Sequence, residues 1–248
     1  MDAHRSFCIR FSGITVRFEL PEAVTLPPAF QALRCEDDAV PDDIYRIVLL
    51  REPLRPASEP VFRQGNSFIY QTTQGWLHIH STLCDGNGCQ VACLLCPNGL
   101  HTLYYPAGRW ASLSNPWQCV QLMDGEGLLL RHDAFLLHSS LIRCQGKALL
   151  FSGPSGAGKT TQAQLWCRHR GAQMLNGDRP ILQPEEALAW GSPYAGSSRC
   201  HINEHCKIRA IMLPVKSHRC AMTRLSEAQA FRALWGLVTV PVWDPQAA

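Results

Sequence analysis

Residues 153–161, Gly-Pro-Ser-Gly-Ala-Gly-Lys-Thr-Thr, constrain this chain more than any other stretch. Gly153, Gly158, Lys159 and Thr160 meet the pattern G-x-x-x-x-G-K-[ST]. The apolar run "KALLFS" before it reads as a strand, and "KTTQAQLWCRHR" after it reads as a helix with Ala163, Trp166 and Cys167 on one face. Gly171 is the expected C-terminal cap of that helix. The residue types follow from anion binding. Glycines let consecutive N–H groups converge on phosphate oxygens, and a helix N-terminus adds partial positive charge. At average composition the pattern arises by chance about once in 100 chains of this length. Gly153, Pro154, Ser155, Gly156, Ala157, Gly158, Lys159, Thr160 and Thr161 are therefore expected to cradle a nucleotide. Lys159 would reach its outer phosphates, and Thr160 would be a ligand of the accompanying Mg²⁺.

Upstream, the sequence reads as β-rich over 1–111, ahead of a loop-bearing core over 112–248. "FCIRFSGITVRFEL" predicts a hairpin turning near Gly13, and "RCEDDAVPDD" (34–43) an acidic surface loop. Residues 76–105 predict a three-stranded antiparallel meander with turns at "DGNG" and "PNG". Within 112–134 some helix is expected, weakened by Gly125 and Gly127. "AFLLHSSLIRC" and "KALLFSG" predict two strands joined at Gln145-Gly146. Short strands "QMLN" and "ILQ" flank the polar "GDRP", and "IRAIMLP" (208–214) predicts a buried strand. Ser226 and Gln229 form the capping box of a last helix, with Ala228, Phe231, Leu234, Trp235 and Val238 at helical spacing.

Charge and cysteine usage narrow the function classes. A net charge of +3 is too small for a nucleic-acid-binding composition. No apolar run approaches the ~18 residues of a membrane span, and polar residues interrupt the N-terminus where a secretory signal would be apolar. The twelve cysteines are then expected as reduced thiols of a cytoplasmic protein.

The flanks of the loop carry a resemblance. "LLHSSLIRCQGKALLFSGPSGAGKTTQAQLW" (136–166), "NGDRP" (176–180), "GSPYAG" (191–196), Asn203 and "KIRAI" (207–211) resemble the HPr serine kinase/phosphorylase and PEP-carboxykinase-like group. They are most similar to the small HPr-kinase-related proteins associated with peptide-modification genes. The resemblance covers about 128–215 through motifs, and implies a kinase-like core on a mixed β-sheet in an α/β (mixed α+β) chain, behind an antiparallel N-terminal region. It implies ATP and Mg²⁺ as cofactors, and a hydroxyl acceptor on a protein, peptide or small molecule, without naming it. It also leaves a homo-oligomer open. Members of the group continue further past the last helix, so a shortened core is a further expectation. PEP carboxykinase activity itself is not expected, because no set of basic residues is arranged for oxaloacetate.

Within that resemblance, His138 holds the group's histidine position, and Asp178 and Arg179 follow the loop's helix where an acidic pair is usual. Gly177 stands at the first acidic position and cannot take a proton. Three readings stay open: His138 is the general base, Asp178 serves both acceptor and Mg²⁺, or the chain is an accessory protein that binds nucleotide without transferring phosphate. Arg179 either clamps phosphate or is a surface charge. No base-recognition motif separates ATP from GTP.

Two cysteine–histidine clusters suggest metal. Cys93 and Cys96 are three apart on a strand, so their side chains diverge. With a turn at Gly86-Asn87, Cys84 would face Cys89 and His80 would face Cys93, with His78 on the same face. "CHINEHC" (200–206) offers Cys200, His201, His205 and Cys206 within seven residues, too close for most geometries. Strand packing and an acceptor-binding loop are the favoured readings of these segments.

Overall fold

The computed structural model describes residues 4–22, 24–80, 91–194, 196–218, 221–239 and 241. The chain divides into two units, Met1–Gly125 and Glu126–Val242. Each is built on an eight-stranded mixed sheet with few helices.

In the first unit, β1 (His4–Phe11) and β2 (Ile14–Pro21) form the expected hairpin. Ser12 and Gly13 turn it with φ of +53° and +80°, the pair of positive values that suits strand twist. Helix α1 (Pro28–Gln31) leads to β3 (Asp43–Leu50), β4 (Phe62–Gln64), β5 (Ser67–Gln71), β6 (Trp76–His80), β7 (Val91–Leu95) and β8 (Leu100–Pro106). The sheet order is β1-β2-β3-β8-β7-β6-β5-β4. The meander β6-β7-β8 is antiparallel as predicted, with Gly99 at φ +73° in its second turn. The first turn, with Cys84, Gly86, Asn87 and Cys89, lies outside the described residues.

The expectation of a purely antiparallel region is corrected. β3 runs parallel to both β2 and β8, because a crossing segment rather than a hairpin brings it in. The acidic loop is also corrected at its end. Asp43 is buried, with its Oδ1 2.8 Å from His101 Nε2, and Asp42 accepts the Thr15 N–H at 2.7 Å. His101 Nδ1 accepts the Cys96 N–H, so its other nitrogen is the donor to Asp43. Phe7, Phe18, Phe30 and Trp110 form an aromatic cluster in the core, with Phe7 stacked on its cross-strand partner Phe18 at 5.2 Å. Helix α2 (Pro116–Leu122) then stops, and Asp124 takes φ +52°. A Cβ at Gly125 would meet Val120 Cγ1 at 2.3 Å, so glycine permits this break.

Next come α3 (Gly125–Arg131), β9 (Phe135–Leu137), β10 (Ser139–Cys144), β11 (Lys147–Ser152), α4 (Lys159–Arg170), β12 (Gln173–Asn176), β13 (Ile181–Gln183), β14 (Leu188–Trp190), β15 (His205–Met212), α5 (Glu227–Trp235) and β16 (Val238–Thr239). The order is β12-β10-β11-β15-β14-β13-β9-β16. The single strand expected over 134–144 is broken at His138: β9 pairs with β13 and β16, and β10 with β11 and β12. Residues 177–180 make the same crossing between β12 and β13. The two crossings bond each other, Ser139 N–H to Asp178 O at 2.8 Å and Leu137 N–H to Pro180 O at 3.1 Å. β15 spans both halves, pairing with β14 through Lys207 and with β11 from Ile208.

Apolar side chains fill both faces. Leu137, Leu141, Leu150 and Leu175 form one cluster, while Ile142, Phe151 and Ala163 form another with Trp166 and Cys167 against it. Gly171 caps α4 at φ +62°. β15 is only partly buried, against the expected buried strand, since Cys206 alone of its residues is in the core. The capping box of α5 forms as predicted, Ser226 N–H to Gln229 Oε1 at 2.9 Å. Its apolar face is only partly covered. Leu234 reaches the core, but Phe231 and Trp235 stack on each other while more than half exposed.

Candidate functional site

The glycine-rich loop leaves β11 and enters α4, so the helix N-terminus opens onto it. Gly153, Gly156 and Gly158 have φ of +152°, +79° and +95°. Space around the last two is open: a Cβ there would meet nothing within 4 Å. Lys159 is 7% exposed and folds back, donating to Gly153 O at 2.9 Å and Pro154 O at 3.0 Å. Burial lowers its pKa, and Asp178 opposes that shift.

A cleft of about 310 Å³ lies over the loop, lined by His138, Ser155, Gly156, Gly158, Lys159, Thr160, Thr161, Gly177 and Asp178. The two strand crossings deliver the far side of it. His138 Nε2 is 3.5 Å from Asp178 Oδ1. Burial lowers the His138 pKa, as do the Lys159 and Arg179 cations, against the pull of Asp178. The imidazole is accordingly neutral near pH 7, with a nitrogen able to accept a proton. Arg179 Nε is 3.9 Å from Asp178 Oδ2, and its guanidinium donates to Thr239 Oγ1 at 3.0 Å. The side chain is 38% exposed, so it makes this bond at the surface.

Of the residues singled out in the sequence, His138, Lys159, Thr160 and Asp178 thus converge on one cleft, with Arg179 beside it. Gly153 and Pro154 serve through their carbonyls. Asn203 is exposed and is not part of the cleft lining.

Asn176, which opens "NGDRP" but was assigned no role from the sequence, organises the acidic turn. Fully buried, its Oδ1 accepts the Asp178 and Arg179 N–H groups at 2.9 and 2.8 Å. Its Nδ2 donates to Ser192 O at 2.9 Å and Tyr194 O at 3.0 Å, tying that turn to the 191–196 loop. Ser192 Oγ closes the network on Arg179 O. Gly196 approaches so near that a Cβ there would meet Asp178 Cβ at 2.5 Å.

The donor set fits a metal–nucleotide. Loop amides and the Lys159 ammonium suit phosphate oxygens, while the Thr160 hydroxyl and Asp178 carboxylate are the hard oxygen ligands that Mg²⁺ takes.

The cysteine–histidine clusters resolve differently. His78 faces Cys93 across the strands and His80 faces Val91, two residues from the anticipated register. His78 Nδ1 lies 3.3 Å from Asp124 Oδ1, and His80 Nδ1 lies 2.8 Å from Ser67 Oγ. In the second cluster Cys200 Sγ donates to Met174 O, His205 lies against Trp190 at 4.1 Å, and Cys206 enters the core. Among the described residues no three such ligands converge as for a metal ion. No described helix is long and apolar enough to cross a membrane. No protein-family model matches this chain, and no curated protein matches it by sequence.

Proposed function

We propose that this chain is an ATP-dependent phosphotransferase of HPr-kinase-like type, with a kinase-like core over 112–248, acting on a hydroxyl such as serine of a protein or peptide. The observation that carries the reading is the convergence of His138, Lys159, Thr160 and Asp178 on one cleft over a glycine-rich loop at a helix N-terminus. When bound, Mg²⁺–ATP supplies the electrophilic phosphoryl group. Lys159, which now bonds the Gly153 and Pro154 carbonyls, would turn to phosphate oxygens, and the loop amides would hold those oxygens in place. Thr160 and Asp178 would hold the metal. Neutral His138 would accept the proton of the acceptor hydroxyl as that oxygen displaces ADP from the γ-phosphorus, the bridging P–O bond breaking, and Asp178 Oδ1 at 3.5 Å would stabilise the resulting imidazolium.

Gly177 favours a second reading, a nucleotide-binding accessory protein that transfers no phosphate, because it leaves the turn with one carboxylate. The two separate with γ-labelled ATP and Mg²⁺ in extract of the source cells, comparing wild type with Lys159→Ala. The first reading expects label on an acceptor with wild type alone, and the labelled fraction identifies protein or small molecule. Intact ATP binding with no transfer would establish the second.

A further inference from the structure

Two serines interrupt the apolar run that crosses the sheet. Ser139 Oγ bonds locally to Leu137 O at 3.3 Å. Ser140 is fully buried on β10, and its hydroxyl contacts two groups distant in sequence, Gly177 O at 3.1 Å and Thr160 Oγ1 at 3.4 Å. A carbonyl oxygen only accepts, so the single hydroxyl proton of Ser140 is committed to Gly177. The remaining contact can then carry only the Thr160 proton, donated to Ser140.

We propose that Ser140 is a positioning residue for the cation ligand Thr160, fixing the direction of its hydroxyl. With its proton drawn into the protein interior, Thr160 presents oxygen lone pairs to the cleft it lines. The chain of donation runs Thr160 to Ser140 to Gly177, and so joins the nucleotide loop to the turn that carries Asp178. Ser140 is fully buried and is not among the residues lining the cleft. It decides that the threonine meets a cation with its acceptor side. A hydroxyl turned the other way would place a proton between oxygen and metal.

The inference rests on the proposal that a metal–nucleotide binds this cleft, and the test separates the two. Binding of a fluorescent ATP analogue to the full chain is measured in EDTA, then during Mg²⁺ titration, with Mn²⁺ binding followed independently by its paramagnetic resonance signal. Ser140→Ala is expected to leave affinity in EDTA unchanged and to raise the half-saturating Mg²⁺ and Mn²⁺ concentrations roughly tenfold, the scale of one oriented buried hydrogen bond. Thr160→Ala is expected to raise them at least as much, and the double variant no further than Thr160→Ala alone. Ser140→Thr, which keeps the hydroxyl, is expected to titrate close to wild type. If the alanine variant does not fold, Ser140→Cys keeps the volume with a far weaker donor and should show the same loss. Wild-type cation titrations in Ser140→Ala and Ser140→Cys, or additive effects with Thr160→Ala, would overturn the inference while leaving the nucleotide site intact. Failure of wild type to bind the analogue at all would overturn the underlying reading and this inference together.

Discussion

His138 and Asp178 come from segments 40 positions apart, yet lie 3.5 Å from each other because both sit where the chain changes from one half of a sheet to the other. The residue types were legible in the sequence. Their adjacency was not, since it depends on a break in what reads as one continuous strand. Ser140 and Asn176 were illegible for a related reason: a serine or asparagine in an apolar run carries no signal of what its side chain will reach. Gly177 offers a direct test at this scale. It lacks the positive φ of Gly156 and Gly158, so its φ does not itself demand glycine. With His138 accepting the proton, Gly177→Asp is expected to leave phosphotransfer within severalfold of wild type. A gain of about 10² in rate would instead identify the missing carboxylate as the limiting base.

Elements with strong local signals form as read: the hairpin at Ser12-Gly13, the one at Gln145-Gly146 with φ of +50° and +74°, α4 ending at Gly171, and the capping box of α5. Each is specified by residues within one or two turns of chain. β14 and β16 were missed, being three and two residues long and defined mainly by their partners β13, β15 and β9. The exposure of Phe231 and Trp235 on α5 was not legible, because spacing reports which face is apolar, not what covers it. The 191–196 loop gives the prediction proper to an element. Gly196 has φ +56°, and a Cβ there would overlap Asp178. Gly196→Ala should add about 1–2 kcal/mol of backbone strain and displace the carboxylate. Nucleotide affinity is expected to fall in Mg²⁺ but not in EDTA. Equal affinities of variant and wild type under both conditions would show that the loop does not set the position of Asp178.

Across the whole molecule, the mixed α/β class was evident in the sequence, while the parallel placement of β3 was not, because it follows from a chain crossing without a motif. One acid-sensitive group lies far in sequence from the glycine-rich loop. Burial, with the neighbouring His78, lowers the His80 pKa from 6.5 to about 4. An unfolded chain binds a proton there below about pH 6.5 while the folded one refuses it. The stability this group confers is therefore complete above that pH and lost progressively as pH falls to about 4, amounting to roughly 3 kcal/mol. Denaturant midpoints at pH 7 and pH 4.5 should differ for wild type and differ much less for His80→Gln. Parallel acid shifts in the two proteins would rule His80 out as the source.

The paired crossings at 138 and 177–180 also have a mechanical meaning. If the two halves of the second sheet flex, the segments common to both are the natural axis, and points on an axis move least. His138 and Asp178 stand on that line, locked by the Ser139 and Leu137 amides. The strand ends furthest from the two crossings would swing most, while the spacing of His138 and Asp178 stayed nearly constant, as jaws open without shifting the pin that joins them.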